Sequence, residues 1–106
     1  MEGGEDIVER PSKEVEMTKE ALFADRNLKG QDLEKKGNVS DAIKLYELNI
    51  KDKADTPFTY SRLAILYHKQ DRLDDEIAIL EEAVASFPWE DKFKLRLQKA
   101  EAKRGE

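Results

Sequence analysis

Residues 57–88, PFTYSRLAILYHKQDRLDDEIAILEEAVASFP, decide the fold. Thr56 precedes this stretch and Pro57 opens it. Threonine is a favoured helix cap, and proline at the first helical position has no N–H to leave unsatisfied. Tyr60, Leu63, Ala64 and Tyr67 then follow at three- and four-residue steps, one stripe of a helix. Asp71 interrupts the pattern and is expected to cap the helix that follows. Asp74, Asp75 and Glu76 load that helix's first turn with negative charge, which its dipole favours. Leu73, Ile77, Leu80 and Val84 give it an apolar stripe, and Pro88 stops it. The stretch therefore predicts two amphipathic helices joined by a short turn.

Working outward, the same design recurs 34 residues upstream. Gly30 aligns with Ala64, Leu33 with Tyr67, Asp41 with Asp75, Ile43 with Ile77, Tyr46 with Leu80 and Ile50 with Val84. The matches fall on small and apolar positions, where a shared packing requirement acts. Gly37–Asn38 ends the first helix of this unit, with glycine supplying a left-handed residue and Asn38 expected to cap the next helix. Val39, Ala42, Ile43, Tyr46 and Ile50 form that helix's buried face. Downstream, Trp89, Phe93, Leu97 and Ala100 form the stripe of a fifth helix, and Trp89 and Phe93 are expected in the core. The opposite face of that helix carries Lys92, Arg96, Lys99 and Lys103.

Composition agrees with an all-α protein. The chain has 106 residues, 41% charged and 39% hydrophobic, with 5 Gly and 3 Pro, too few for the turns of a many-stranded β fold. No apolar run approaches the roughly 18 residues of a membrane span. The N-terminus lacks the basic-then-apolar order of a secretory signal, and the expected location is cytoplasmic. The absence of Cys excludes disulfides, thiol catalysis and Cys-based zinc sites, and a single His leaves little for acid–base or metal chemistry. Net charge is −5, and residues 1–20 carry −4 while residues 89–106 carry +2. An acidic chain of this kind disfavours nucleic acid as a partner. Residues 1–11 are expected to form a flexible acidic segment. Residues 12–106 form a single helical domain whose first helix starts near Ser12 or near Thr18. No phosphate-binding Gly loop, calcium loop or catalytic triad occurs. No enzyme activity, cofactor, metal or catalytic residue is expected.

The period and the small/large pattern resemble the tetratricopeptide repeat family. The second unit carries Tyr60-x2-Leu63-Ala64-x2-Tyr67, then Leu80, Ala83 and Pro88. The first matches at Gly30, Leu33, Ala42 and Tyr46, and departs at Arg26, Lys29 and Ala54. The resemblance implies antiparallel helix–turn–helix repeats stacked as a short right-handed α-solenoid of about five helices. Repeat one spans about 23–56, repeat two about 57–90, and a capping helix about 89–104. Glu76 stands where a small residue usually lets the paired helices approach, and its carboxylate is expected to snorkel outward.

The resemblance further implies a concave groove lined by the first helix of each unit, used to bind peptides. Its register places Asn27 and Gln31 from repeat one there. Phe58, Arg62, Ile65 and Lys69 come from repeat two, with His68 beside them as a polar surface residue. Lys92, Arg96 and Lys99 come from the capping helix. The ionisable groups so placed are basic or His68, on an otherwise acidic protein. The expected function is a protein–protein interaction module, an adaptor or scaffold, binding an acidic or C-terminal peptide segment. The carboxylate clamp that some family members use for chaperone tails is matched only at Lys92 and Arg96; Asn27, Gln31 and Arg62 depart from it. The alternative is a self-associating structural module, for instance a homodimer formed through exposed repeat ends.

Overall fold

The computed structural model describes residues 18–105. These residues form five α-helices and no strand: α1 (Lys19–Lys35), α2 (Val39–Lys51), α3 (Pro57–Lys69), α4 (Leu73–Ser86) and α5 (Asp91–Arg104). Each helix packs on the next in chain order, in the manner of a helical-repeat solenoid. None of the described helices is long and apolar enough to cross a membrane. The expected acidic segment 1–11 and the Ser12 start lie outside the described residues. Thr18 caps α1, its Oγ1 accepting from the Ala21 N–H at 3.0 Å. Thr56 caps α3 in the expected way, accepting from the Phe58 N–H at 3.3 Å ahead of Pro57.

Three of the turns end by one device. After α1, the Gly37 N–H donates to the Glu34 carbonyl and the Asn38 N–H to the Leu33 carbonyl. Lys53 and Ala54 donate to Ile50 and Asn49 after α2, and Asp71 and Arg72 to His68 and Tyr67 after α3. Each pair satisfies carbonyls that a helix end leaves unpaired, and each needs one left-handed residue. Those residues are Gly37 (φ 84°), Lys53 (φ 67°) and Asp71 (φ 57°). The two expected asparagine and aspartate caps are therefore corrected. Asn38 makes no side-chain capping bond, and the residue preceding α4 is Arg72. Asp71 sits one position too early to cap, because it occupies the left-handed position that Gly37 holds 34 residues upstream.

The small residues of the repeat pattern lie inside the helix packing. Gly30, Ala42, Ala64 and Ala83 are all buried. Tyr46, Leu63, Ile77, Leu80 and Phe93 fill the layers between, each large apolar side chain stabilising by about 1.5–3 kcal/mol on full burial. Phe87 closes the far end, edge-to-face with Tyr60 at 5.2 Å and 6.0 Å from Phe93. Trp89 departs from expectation: it is 70% exposed, with its ring edge-on to Phe87 at 5.9 Å. The chain turns after Phe87, whose carbonyl accepts from the Glu90 N–H, and α5 begins only at Asp91. Phe87 thereby takes the place beneath α5 that the stripe assigned to Trp89.

Where the first repeat departs from the second, residues change in concert. Tyr60 and Ala83 are both buried in repeat two, and the positions 34 residues earlier are Arg26 and Asn49. Asn49 is fully buried, and its Nδ2 donates to the Phe23 carbonyl and to Asn27 Oδ1, each at 3.0 Å. Its Oδ1 accepts from Arg26, which also reaches Asp52 Oδ2 at 2.8 Å. Ala54 replaces the expected proline because its N–H donates to the Asn49 carbonyl, a bond proline cannot make.

Candidate functional site

The nine residues expected in the groove come from α1, α3 and α5, and the structure gathers five of them into two separate depressions. Gln31, Phe58 and Arg62 line a shallow depression of about 260 Å³, together with Glu34 and Lys35. Asn27 is turned to structural use, its Oδ1 accepting from Asn49 Nδ2 and from Thr59 Oγ1 at 2.9 Å. Ile65 is half-buried and Lys69 exposed along α3.

Arg62 corrects the expectation of a purely basic groove. Its guanidinium faces Glu34, with Nε 3.1 Å from Oε2 and Nη2 bonded to Oε1. Tyr46 donates its hydroxyl to the same carboxylate at 2.7 Å. Burial works to raise the pKa of Glu34, but the hydrogen bonds from Arg62 and Tyr46 outweigh it and hold the carboxyl below its usual range. The same bond to Glu34 raises the pKa of Arg62. Burial and the Glu34 bond raise that of the Tyr46 phenol. The α1–α3 side of the groove is thus a self-neutralised strut rather than an open cationic surface.

The second place lies at the junction of α3, α4 and α5. Arg96 and Lys99, both expected groove residues, line a depression of about 280 Å³ with Lys103, His68 and Glu76. Leu73 and Ala100 supply its apolar wall. Arg96, Lys99 and Lys103 make no ion pair with another described residue. Lys92 lies one turn away, its Nζ 5.3 Å from the centre of the Phe93 ring, within the range of a cation–π contact.

Glu76 does not snorkel outward. Its side chain is 6% exposed, and its Oε1 lies 3.3 Å from His68 Nδ1. The exposed His68 side chain is correspondingly not a solitary surface group. Sequence reading missed Glu34 and the pairing of Glu76 with His68, and it placed Lys103 on the basic face of α5 without assigning it to the groove. A signal for the pairing existed: His68 closes α3, Glu76 lies in the first turn of α4, and antiparallel helices bring such positions together. Among the described residues, no group of three or more acidic or His side chains is gathered to hold a metal ion.

The junction offers a rim of cations, one buried acceptor and a short apolar wall. Comparison with protein-family models, with curated proteins and with solved structures gives no match.

Proposed function

We propose that this chain is a tetratricopeptide-like interaction module that binds an acidic peptide segment, with the α3–α4–α5 junction as the anchor. The observation that carries this reading is the convergence of Arg96, Lys99 and Lys103 on one depression of a chain whose net charge is −5. Cations without an ion pair among the described residues keep their charge for a partner, and Arg grips a carboxylate through two parallel hydrogen bonds. Gln31, Phe58, Ile65 and Lys69 extend the contact along α3 toward α1. The family reading rests on the 34-residue equivalence of the units, the buried small residues and the shared turn geometry. In this reading the module is a cytoplasmic adaptor with no chemistry of its own.

The test is the binding of a fluorescein-labelled peptide of alternating Asp and Leu, followed by anisotropy. Raising salt from about 20 to 200 mM shortens the screening length severalfold and is expected to weaken binding about tenfold. The double variant Arg96→Glu, Lys99→Glu, folded by circular dichroism, is expected to lose binding. Equal affinity at both salt concentrations, or in the double variant, would overturn the reading.

A further inference from the structure

Resting on that reading, we infer that the junction cavity is a subsite for a neutral hydroxyl side chain, Ser or Thr, carried within the acidic segment. The cavity has two layers of opposite demand. Its rim is cationic, with the half-buried Arg96 and the exposed Lys99 and Lys103. Its buried member is Glu76, with a side chain 6% exposed. A carboxylate has four acceptor directions, and the side-chain polar contact that Glu76 makes among the described residues is to His68 at 3.3 Å. Buried acceptors strongly prefer a partner.

Three classes of ligand group can be weighed at that carboxylate. An acidic side chain belongs at the rim and is repelled by Glu76. An ammonium suits Glu76 but must sit among three cations. A neutral O–H satisfies Glu76 without either conflict. The cavity's volume of about 280 Å³ leaves room for a threonine, with its methyl group against Leu73 and Ala100. The rim therefore selects acidity, and the buried carboxylate selects where in the segment a hydroxyl stands.

The experiment compares two peptides, acetyl-Asp-Glu-Thr-Asp-Glu-amide and its valine counterpart, which has the same shape without the hydroxyl. Titration calorimetry with the native protein is expected to give binding about tenfold tighter for the threonine peptide. Glu76→Ala removes the acceptor and places a small residue where the repeat pattern usually has one, so the variant is expected to fold. In it the two peptides should bind within twofold of each other. Equal binding of both peptides to the native protein would overturn the hydroxyl subsite and leave the acidic-segment reading standing. A threonine preference that survives in Glu76→Ala would also overturn it. Failure of both peptides to bind would overturn the subsite and the reading beneath it.

Discussion

Tyr46 lies across Gly30 so closely that a methyl group on the glycine would sit 2.5 Å from the tyrosine Cε1 and 2.6 Å from Cζ. Both residues are buried, and the tyrosine hydroxyl continues past the contact to Glu34 at 2.7 Å. The ring is thus held at both ends and cannot retreat without breaking a hydrogen bond. Gly30→Ala is expected to destabilise the protein by about 1–3 kcal/mol through overpacking, read as a lower urea midpoint. Gly37→Ala is the control, since nothing lies within 4 Å of a Cβ there. Its cost is backbone strain alone, about 1 kcal/mol.

The helices, their small buried residues and their apolar stripes were legible because each depends on local spacing and on a repeat that aligns with itself. The turns were less so. Asp71 reads as a cap from its residue type, yet its φ of 57° is set by the hydrogen bonds that close α3. Trp89 reads as core from periodicity, yet the turn before α5 hands that place to Phe87. The candidate site was legible as a face but not as a set of pairs. Arg62 and Glu34 are 28 residues apart, and no local pattern joins them.

Asp71 supplies a prediction of the opposite sign to Gly37. A non-glycine residue in the left-handed region bears steric strain that glycine does not. The residue at the N-cap position of α4 is Arg72, so the substitution removes no cap residue. Asp71→Gly is expected to raise stability by about 0.5 kcal/mol, the relief of strain exceeding the entropy lost by the more flexible glycine. A thermal melt that moves downward would show that the side chain contributes elsewhere.

Arg26 and Asn49 act as a unit. Asn49→Ala removes one of the two acceptors of the half-buried Arg26 and the side-chain donor to the Phe23 carbonyl and Asn27, and is expected to cost about 1–3 kcal/mol. Arg26→Tyr with Asn49→Ala together installs the pair that repeat two uses at Tyr60 and Ala83. The double variant should be more stable than Asn49→Ala alone, with a coupling energy of about 1 kcal/mol or more in a double-mutant cycle. Additive effects would mean that the two repeats do not share one packing solution.

Glu34 gives the acid limb of stability a specific source. Its folded pKa lies below the ordinary value of 4.5, the bonds from Arg62 and Tyr46 prevailing over burial. A depressed carboxyl pKa contributes stability that is complete above the unfolded value and is lost as pH falls through the folded one. Unfolding free energy measured from pH 6 to pH 3 should therefore fall more steeply for the native protein than for Glu34→Gln. Parallel curves would assign the acid sensitivity to other carboxylates.

Arg62 and Arg96 are both half-buried arginines assigned to one groove, and they should behave differently. Arg62 is committed to Glu34, so Arg62→Ala leaves a carboxylate 13% exposed without its cation, held by the Tyr46 hydroxyl. Removing one partner of a fully buried pair costs about 3–5 kcal/mol, and solvent at this site reduces that to about 1–2 kcal/mol. Affinity for an acidic peptide should stay within twofold of the native value at a temperature where the variant is folded. Arg96 has no carboxylate partner among the described residues, so Arg96→Ala should leave stability within about 0.5 kcal/mol. The same change should weaken the acidic peptide about tenfold, the loss of one charge-assisted hydrogen-bonded contact. Measured side by side by urea unfolding and peptide anisotropy, the two substitutions separate the strut from the docking surface. A peptide affinity that falls with Arg62→Ala and not with Arg96→Ala would move the anchor to the α1–α3 side.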